Sequence, residues 1–593
     1  MSRTLTYARA DARRLLRSRR VWAAAALLAL MFLPSMPAVA DPERRPIGEL
    51  LLVIPFDLLT FALVVVAAVG YGAVAGQRGT VQFRLGLGGT RRELVAGTAL
   101  ARATATALVL VGALAAAQVV VVQNYGSPYA VAYWTMGAWL VLYGVVWTAV
   151  AVGYAAAFRS PYQSLAALAG TYVVFSSNYG VWGAVIRPLF ALLATGSTSV
   201  PAYEVLANAP LWLRVVERLN PIRDLWLALR WSVGVAGPGT AVGNPFAHAL
   251  GAVVLVLFGA VPLLVGIRRF ERADLGNETR GFRLPLAARF REAAGRFVPS
   301  AARAGREPTE TASSRSHRWL IARADLRHAL RNRIVLAGVG LALLLGGPSV
   351  WQQTASSTVF EVSEQLVRVP GRLVLPLVAL GVAVGHRAVV GKHLAGTAQF
   401  VLSTNGTRQD LFAGTVIARL TVVLGTALAL LAVAWVLATV RLGALYPGAI
   451  AAGTLWIVAY AILWTSLTVS ASAVAATRYR SLAAIFGAFL LFSTGVGLWG
   501  SVVRPLVAYP ITGRFESGLV PNQDWPAWFH AVDHLNPFVS LETLKGGLYA
   551  AAGHGTQTAP SLPLVGYSAV VVVLFVLGAL TVGLRRFESR PLG

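Results

Sequence analysis

Of 593 residues, 56% are apolar and only 13% charged, with a mean hydropathy of +0.65. That composition excludes a soluble globule. The net charge of +27 would suit a nucleic-acid binder only if the arginines clustered at one locus with interleaved aromatics, and they do not. With no cysteine in the chain, disulfides and thiolate metal sites are excluded and the redox compartment is left open.

The first predicted element is a helix over residues 3–20, where Leu5, Ala8, Ala12, Leu15 and Leu16 fall at helical spacing and arginines occupy the rest. An apolar stripe opposite an arginine-rich face is the pattern of a helix lying in the membrane interface. Charge flanks that merely set orientation would explain the arginines. The stripe returns as Trp319, Ala322, Leu326, Ala329 and Leu330, however, and the duplication favours the helix.

Six apolar stretches follow, near 20–38, 50–76, 97–122, 131–157, 164–186 and 247–267. Each approaches the roughly 20 residues needed to cross a bilayer, and their Gly and Pro are tolerated in membrane helices. The first lacks a convincing cleavage site and has a counterpart deep in the chain, so it is a retained helix. Asp57 lies alone in the second stretch and its counterpart is Arg372. An intramembrane charge is a candidate functional site. Either the two form a polar pair across the repeat, or each snorkels to the outer interface.

Between the second and third stretches, Thr90-x-x-Glu93 forms a capping box before the apolar run from Leu94. Thr407-x-x-Asp410 is its weaker copy, aspartate being shorter. Upstream lie short segments, 79–87 and 396–402, that would hold two turns of helix. The outer segments after the fifth stretch of each half run to 246 and 561; they are too apolar for solvated loops and suggest short helices at the outer membrane face. Trp182-Gly183 with Arg187-Pro188 introduces one, and Trp499-Gly500 with Arg504-Pro505 the other. There Pro is expected to end the span and Arg to snorkel. Residues 271–316 read as a poorly ordered cytoplasmic linker with an amphipathic piece near Phe282 to Phe297. A second set of six stretches lies near 334–350, 372–391, 414–440, 448–476, 481–503 and 562–584.

The two sets are copies. Ala8-Arg9-Ala10-Asp11 returns as Ala322-Arg323-Ala324-Asp325, and Gly79-Thr80-Val81-Gln82-Phe83 as Gly396-Thr397-Ala398-Gln399-Phe400. Thr90-Arg91-Arg92-Glu93-Leu94 returns as Thr407-Arg408-Gln409-Asp410-Leu411, and Leu219-Asn220-Pro221 as Leu535-Asn536-Pro537. Gly266-Ile267-Arg268-Arg269-Phe270-Glu271 closes the first half and Gly583-Leu584-Arg585-Arg586-Phe587-Glu588 the second. A repeat this long is a duplicated domain. The expected fold is therefore an all-α integral membrane protein of twelve transmembrane helices, arranged as two parallel six-helix repeats with amphipathic interfacial helices. Its modules are 1–270 and 317–593. With the N-terminus in the cytoplasm, the whole net charge of +27 falls on the inner side, as the positive-inside rule demands. Both termini are then cytoplasmic and the chain is a multi-pass protein of the cell membrane. An even number of spans per half makes the repeat parallel, about an axis along the membrane normal.

Catalytic chemistry is absent from this reading. No Walker motif exists, since the only Gly-Lys, Gly391-Lys392, is followed by His393. His530 and His534 around Asp533 mimic an inverted zinc-protease motif. Their counterparts are Arg214, Arg218 and Glu217, so this is a polar helix face with variable cations, and no metal site is expected.

In the order of these blocks the chain resembles the permeases of ABC-2 type export systems, two six-span modules being fused. The resemblance rests on the N-terminal amphipathic helix, the Gly79–Phe83 and Thr90–Leu94 blocks with Gly97 and Arg102, the Leu-Asn-Pro and the Arg-Arg-Phe-Glu exit. It implies that 79–87 and 396–402 are coupling helices docked on separate ATP-binding subunits, two copies, which carry the ATP and Mg; this chain itself holds no cofactor. Gln82, Phe83, Arg84, Arg91, Arg92, Glu93, Gln399, Phe400, Arg408 and Asp410 are the coupling residues it implies, and the outer segments become re-entrant helices. The family often has a glutamate before the glycine of the first block, where this chain has Gln77 and Lys392; the usual proline is replaced by Gly88 and Thr404. The alternative is a twelve-span secondary transporter, which would need more charged groups within its spans than Asp57 supplies.

Overall fold

A computed structural model of the chain describes residues 3–33, 36, 46–70, 72–74, 89–175, 181–197, 209–237, 245–273, 314–332, 335–340, 342–343, 346, 362–394, 407–493, 498–512, 527–554 and 559–589. Every regular element among them is helical. The short inner segments, 79–87 and 396–402, and most of the linker lie outside the described residues, the piece from Phe282 to Phe297 included.

The first half contains α1 (Arg3–Leu16), α2 (Arg19–Phe32), α3 (Ile47–Gly70), α4 (Arg91–Tyr125), α5 (Ala130–Ala157) and α6 (Pro161–Phe175). A π-helical turn, Trp182–Ile186, leads into α7 (Arg187–Thr195), then α8 (Leu211–Arg218), α9 (Pro221–Ala236) and α10 (Pro245–Glu271). The second half runs through α11 (Ser314–Arg331), α12 (Val362–Gly371), α13 (Val374–Gly385), α14 (Val390–Leu394), α15 (Arg408–Leu442), α16 (Pro447–Val474) and α17 (Arg478–Phe492). The π turn Trp499–Val503, α18 (Arg504–Thr512), α19 (Ala527–Asp533), α20 (Pro537–Ala551) and α21 (Leu562–Glu588) complete it.

Seven helices among the described residues are long and apolar enough to cross a membrane: Arg91–Tyr125, Ala130–Ala157, His248–Glu271, Leu366–Lys392, Arg408–Val440, Pro447–Val474 and Leu562–Glu588. Within the fifth stretch of each half the described helix is shorter than the expected span, and residues 176–180 and 494–497 lie outside the described residues. Helices α6 and α17 have 15 residues each, roughly 22 Å at 1.5 Å per residue, against a hydrocarbon core of about 30 Å. Beyond them the expected stop at Pro188 and Pro505 is also corrected, because the helix continues through it. A proline ring clashes with the carbonyl four residues back. The backbone widens to five-residue spacing instead, Arg187 N–H bonding Trp182 O and Arg504 N–H bonding Trp499 O.

Each half is organised around the helix of its fourth apolar stretch. Helix α5 packs against α3, α4, α6, α9 and α10; α16 packs against α12, α13, α15, α17, α20 and α21. Their buried aromatics explain the position. Trp147 lies edge-on to Phe258 of α10 at 5.3 Å and to Tyr172 of α6 at 6.2 Å. Trp464 meets Phe538 of α20 at 6.0 Å and Phe489 of α17 at 6.1 Å, and donates to Val378 O at 3.1 Å. Such aromatic pairs add to area burial because ring edges and faces carry opposite partial charge. Gly266, the first residue of the repeated exit motif, lets α10 cross α5: a Cβ there would fall on the Gly153 carbonyl oxygen. The halves touch where α2 meets the π turn of residues 499–503, and Leu490 of α17 is buried within the first half's core.

The Leu-Asn-Pro motif fastens the outer segments. Asn220 accepts from the N–H groups of Ile222 and Arg223 at the start of α9 and donates through Nδ2 to Phe175 O, the last residue of α6, at 2.8 Å. Asn536 repeats this, accepting from Phe538 N–H and donating to Phe492 O at 2.9 Å. One buried amide thus caps one helix's N-terminus and satisfies a carbonyl at another's C-terminus.

Candidate functional site

The two copies of one joint stand out from the residues upward. Helix α4 starts with the expected box: Thr90 Oγ1 accepts from Glu93 N–H at 3.1 Å, and Glu93 Oε2 accepts from Thr90 N–H at 2.8 Å. At α15 the aspartate version also forms, with Asp410 N–H to Thr407 Oγ1 at 3.1 Å and Thr407 N–H to Asp410 Oδ2 at 3.3 Å. The shorter side chain gives the longer return bond. Asp410 also meets Arg318 of α11, whose Nε lies 2.6 Å from Asp410 Oδ1.

Arg91 and Arg408 turn toward the last helix of their own half. Arg91 Nη1 donates to the carbonyls of Phe270, Glu271 and Ala273 at 2.9, 2.7 and 2.6 Å. Arg408 Nη1 donates to Phe587 O at 3.2 Å and to Glu588 O, while Gln409 Nε2 reaches Glu588 Oε1 at 3.1 Å. The last carbonyls of a helix have no partner within it and carry the negative end of its dipole, so a guanidinium there both caps and neutralises. The repeated Arg-Arg-Phe-Glu exit is the receptor for that cap.

Deeper in the same joint lies a buried ion pair. Arg102 Nε of α4 donates to Asp11 Oδ2 of α1 at 2.9 Å, with side-chain exposures of 5% and 1%, and Arg102 also donates to Val69 O near the end of α3. Arg419 Nη2 of α15 lies 3.0 Å from Asp325 Oδ1 of α11, again with both buried. Close packing makes the pair possible. A Cβ on Gly97 would lie 2.6 Å from Thr4 O, and one on Gly414 3.0 Å from Arg318 O, so these glycines let α1 and α11 press against α4 and α15. In the second half Lys392 Nζ of α14 adds a cation 3.2 Å from Asp325 Oδ1 and donates to Thr415 Oγ1 at 2.7 Å. A glutamate at 392 would have set two carboxylates together there.

The start of α4 is thereby fastened to α10, α1 and α3, and the start of α15 to α21, α11 and α14. Of the sequence-predicted coupling residues, Arg91, Glu93, Arg408 and Asp410 are brought into these joints and Arg92 stays exposed. Gln82, Phe83, Arg84, Gln399 and Phe400 lie outside the described residues, as does the side chain of Asp57; Arg372 is half-buried immediately before α13. The residues that sequence reasoning left unpaired are Asp11, Asp325 and Arg419. The signal was present: Ala101-Arg102 recurs as Ala418-Arg419, an arginine at the same place inside an apolar stretch of both halves.

A second cluster joins the outer segments to the spans. The expectation that Arg187 and Arg504 snorkel is corrected: Arg187 Nε lies 2.7 Å from buried Glu217 Oε1, and Arg504 Nη2 lies 2.5 Å from Asp533 Oδ2. A carboxylate buried one helix away offers a better partner than the headgroups. Arg223 adds a second cation to Glu217 at 3.2 Å. Next to it, Arg218 Nη1 donates to Asp224 Oδ1 at 3.1 Å, and His248 of α10 stacks on Trp231 with ring centres 5.0 Å apart. Burial raises the Asp224 pKa to about 7, against the opposing pull of Arg218. His534 Nδ1 lies 2.6 Å from His530 O and its Nε2 2.8 Å from Thr543 Oγ1, so the His530–His534 pair serves helix structure. Burial lowers the His534 pKa. Among the described residues no group of His, Asp and Glu could hold a metal ion.

A family profile described as "ABC-2 family transporter protein" matches residues 5–275 and, again, 319–592. No curated protein matches the chain.

Two outcomes follow from this geometry. Arg102→Met leaves Asp11 buried without its cation, and breaking a buried pair from one side costs about 3–5 kcal/mol. Asp11→Asn with Arg102→Met removes both charges and should recover much of that loss in thermal unfolding of the purified protein; a double variant no more stable than the single one would show that the pair is not the joint. For Asp224, the folded pKa near 7 lies above the ordinary carboxylate value. Its contribution to stability is therefore complete below the ordinary value and lost as pH rises through about 7. The unfolding midpoint should fall from about pH 6 to about pH 8 in the wild type and change less in Asp224→Asn. Equal slopes for the two would refute the assignment.

Proposed function

Because the chain belongs to the ABC-2 family of transporter proteins, we propose that it is the membrane permease of an ATP-driven exporter whose ATP-binding subunits are separate chains. The observation that carries this reading is the double match, one to each half, together with the joint that both halves build at the start of their third long helix. In this reading the modules are 1–270 and 317–593, joined by the linker 271–316, and each contributes six spans in parallel orientation for a total of twelve. Both termini lie in the cytoplasm of a cell whose surface membrane the protein crosses.

Two ATP-binding subunits, carrying ATP and Mg, dock on segments 79–87 and 396–402 through Gln82, Phe83, Arg84, Gln399 and Phe400. Their closure displaces those segments. The capped starts of α4 and α15 pass the displacement to the last helix through Arg91 and Arg408, and to the interfacial helix through Arg102 and Arg419. The halves then rock about a shared axis, which is the general logic of transporters built from repeats, and the outer clusters of Glu217 and Asp533 are re-formed as the exit opens and closes. Asp57 and Arg372 are candidates for a polar pair in the pathway. The chain performs no catalysis itself in this scheme.

Purification of the chain with and without its ATPase tests the reading. Nucleotide turnover should require the partner, and Phe83→Asp with Phe400→Asp should abolish co-purification while leaving insertion intact, since an unpaired charge in an apolar contact costs a few kcal/mol. ATP hydrolysis by the isolated chain, or an unchanged complex, would defeat it. Orientation is read in intact cells from single cysteines: Ser199→Cys and Gly518→Cys should react with an impermeant thiol reagent, and Gly89→Cys and Asn405→Cys should not.

A further inference from the structure

Helices α1 and α11 each contain a single acidic residue, Asp11 and Asp325. Both are buried and paired with Arg102 and Arg419. The faces turned away from the protein therefore carry no carboxylate of their own. On α1 the exposed residues include Arg9, Arg13 and Arg17, the last just beyond the helix end, beside Leu5, 43% exposed, and Leu16, 66% exposed. On α11 the same places hold Arg323, Arg327 and Arg331 beside Trp319, 67% exposed, and Leu330, 48% exposed. At 100° per residue Leu5 and Leu16 fall on one edge of the helix, with Arg9 and Arg13 next to them and Arg17 beyond. Trp319 and Leu330 take that edge on α11. Trp22, also exposed, donates its Nε1–H to Leu16 O at 2.8 Å, which caps α1 while leaving its ring on the surface.

An exposed apolar edge flanked on one side by arginines matches the boundary between acyl chains and headgroups. Water would satisfy the arginines but not the leucines, and hydrocarbon would do the reverse. Zwitterionic headgroups would offer each phosphate already balanced by choline. We propose that the outward edges of α1 and α11 are two equivalent docking sites for anionic phospholipid, whose phosphates are held by Arg13 and Arg17 in one half and by Arg327 and Arg331 in the other. Arg9 and Arg323 lie nearer the apolar edge. Guanidinium suits this task because its planar fork donates two hydrogen bonds to one phosphate. The inference requires only a membrane protein and is independent of any ATPase partner.

The full chain, purified without an ATPase, is reconstituted in nanodiscs of phosphatidylcholine alone or mixed with phosphatidylglycerol. The nanodiscs are then dissolved in mild detergent and the phospholipid retained by the protein is counted by mass spectrometry. The wild type should keep phosphatidylglycerol in preference to phosphatidylcholine, and added salt should erase the preference. Arg13→Gln with Arg17→Gln, and separately Arg327→Gln with Arg331→Gln, should each weaken retention at one site by roughly fivefold per arginine removed. The corresponding lysine variants should retain more than the glutamine ones. Equal retention of both lipids by the wild type, or phosphatidylglycerol retention unmoved in both glutamine variants, overturns the proposal. Should a glutamine variant aggregate on gel filtration, the wild-type salt titration decides: a preference that survives high salt overturns the proposal, and one that vanishes supports it.

Discussion

The ion pair between Asp11 and Arg102, with its copy between Asp325 and Arg419, is the constraint on which the rest of this structure depends. Burying two charges is favourable only when they meet with good geometry, and leaving one behind is far worse than removing both. Each pair therefore fixes α1 against α4 and α11 against α15 in one register. Gly97 and Gly414 must be glycine for the helices to come close enough. The same pairing takes the only carboxylate of α1 and of α11 away from the surface, which leaves the exposed arginines unopposed by any acid on their own helix.

From that joint the outward connections are made by groups that helices leave unsatisfied. The first turns of α4 and α15 are capped by their own Thr-x-x-Glu or Thr-x-x-Asp, and the last carbonyls of α10 and α21 are capped by the arginine that follows the threonine. At the opposite end, Asn220 and Asn536 tie the close of α6 and α17 to the start of α9 and α20. Four helix ends in each half that would otherwise need water are thus satisfied within the chain. A membrane protein has few other ways to make neighbouring helices move together, because apolar faces slide on one another as readily as on lipid.

Much of this was legible in the sequence where the physics is local. The threonine boxes, the helices α1 and α11 and the long apolar helices α4, α5, α15, α16 and α21 follow from spacing within a few turns, and they appear where spacing puts them. Contacts between distant residues were less visible. Arg102 and Asp11 each look like ordinary inner-side charges until the fold sets them 2.9 Å apart. Arg187 was expected at the headgroups because a window of sequence cannot show Glu217 on another helix. The π turns escaped for a different reason: proline announces that the regular ladder must fail, but whether the chain stops or widens is decided by what packs beyond it. Nor does hydropathy distinguish α6 or α17 from a full span, since the residues that follow them are apolar too.

The two halves are copies that have ceased to be identical, and the second joint shows it. Lys392 brings Asp325 a second cation that has no equivalent among the described contacts of Asp11, and at the opposite end Arg218 and Asp224 are matched by His534 and Ser540. In an assembly of two identical chains every substitution is made twice, so a change that suits one half must be tolerated by the other. Covalent fusion lifts that restriction. Selection can then alter one joint without altering its twin, as Lys392 beside Asp325 illustrates.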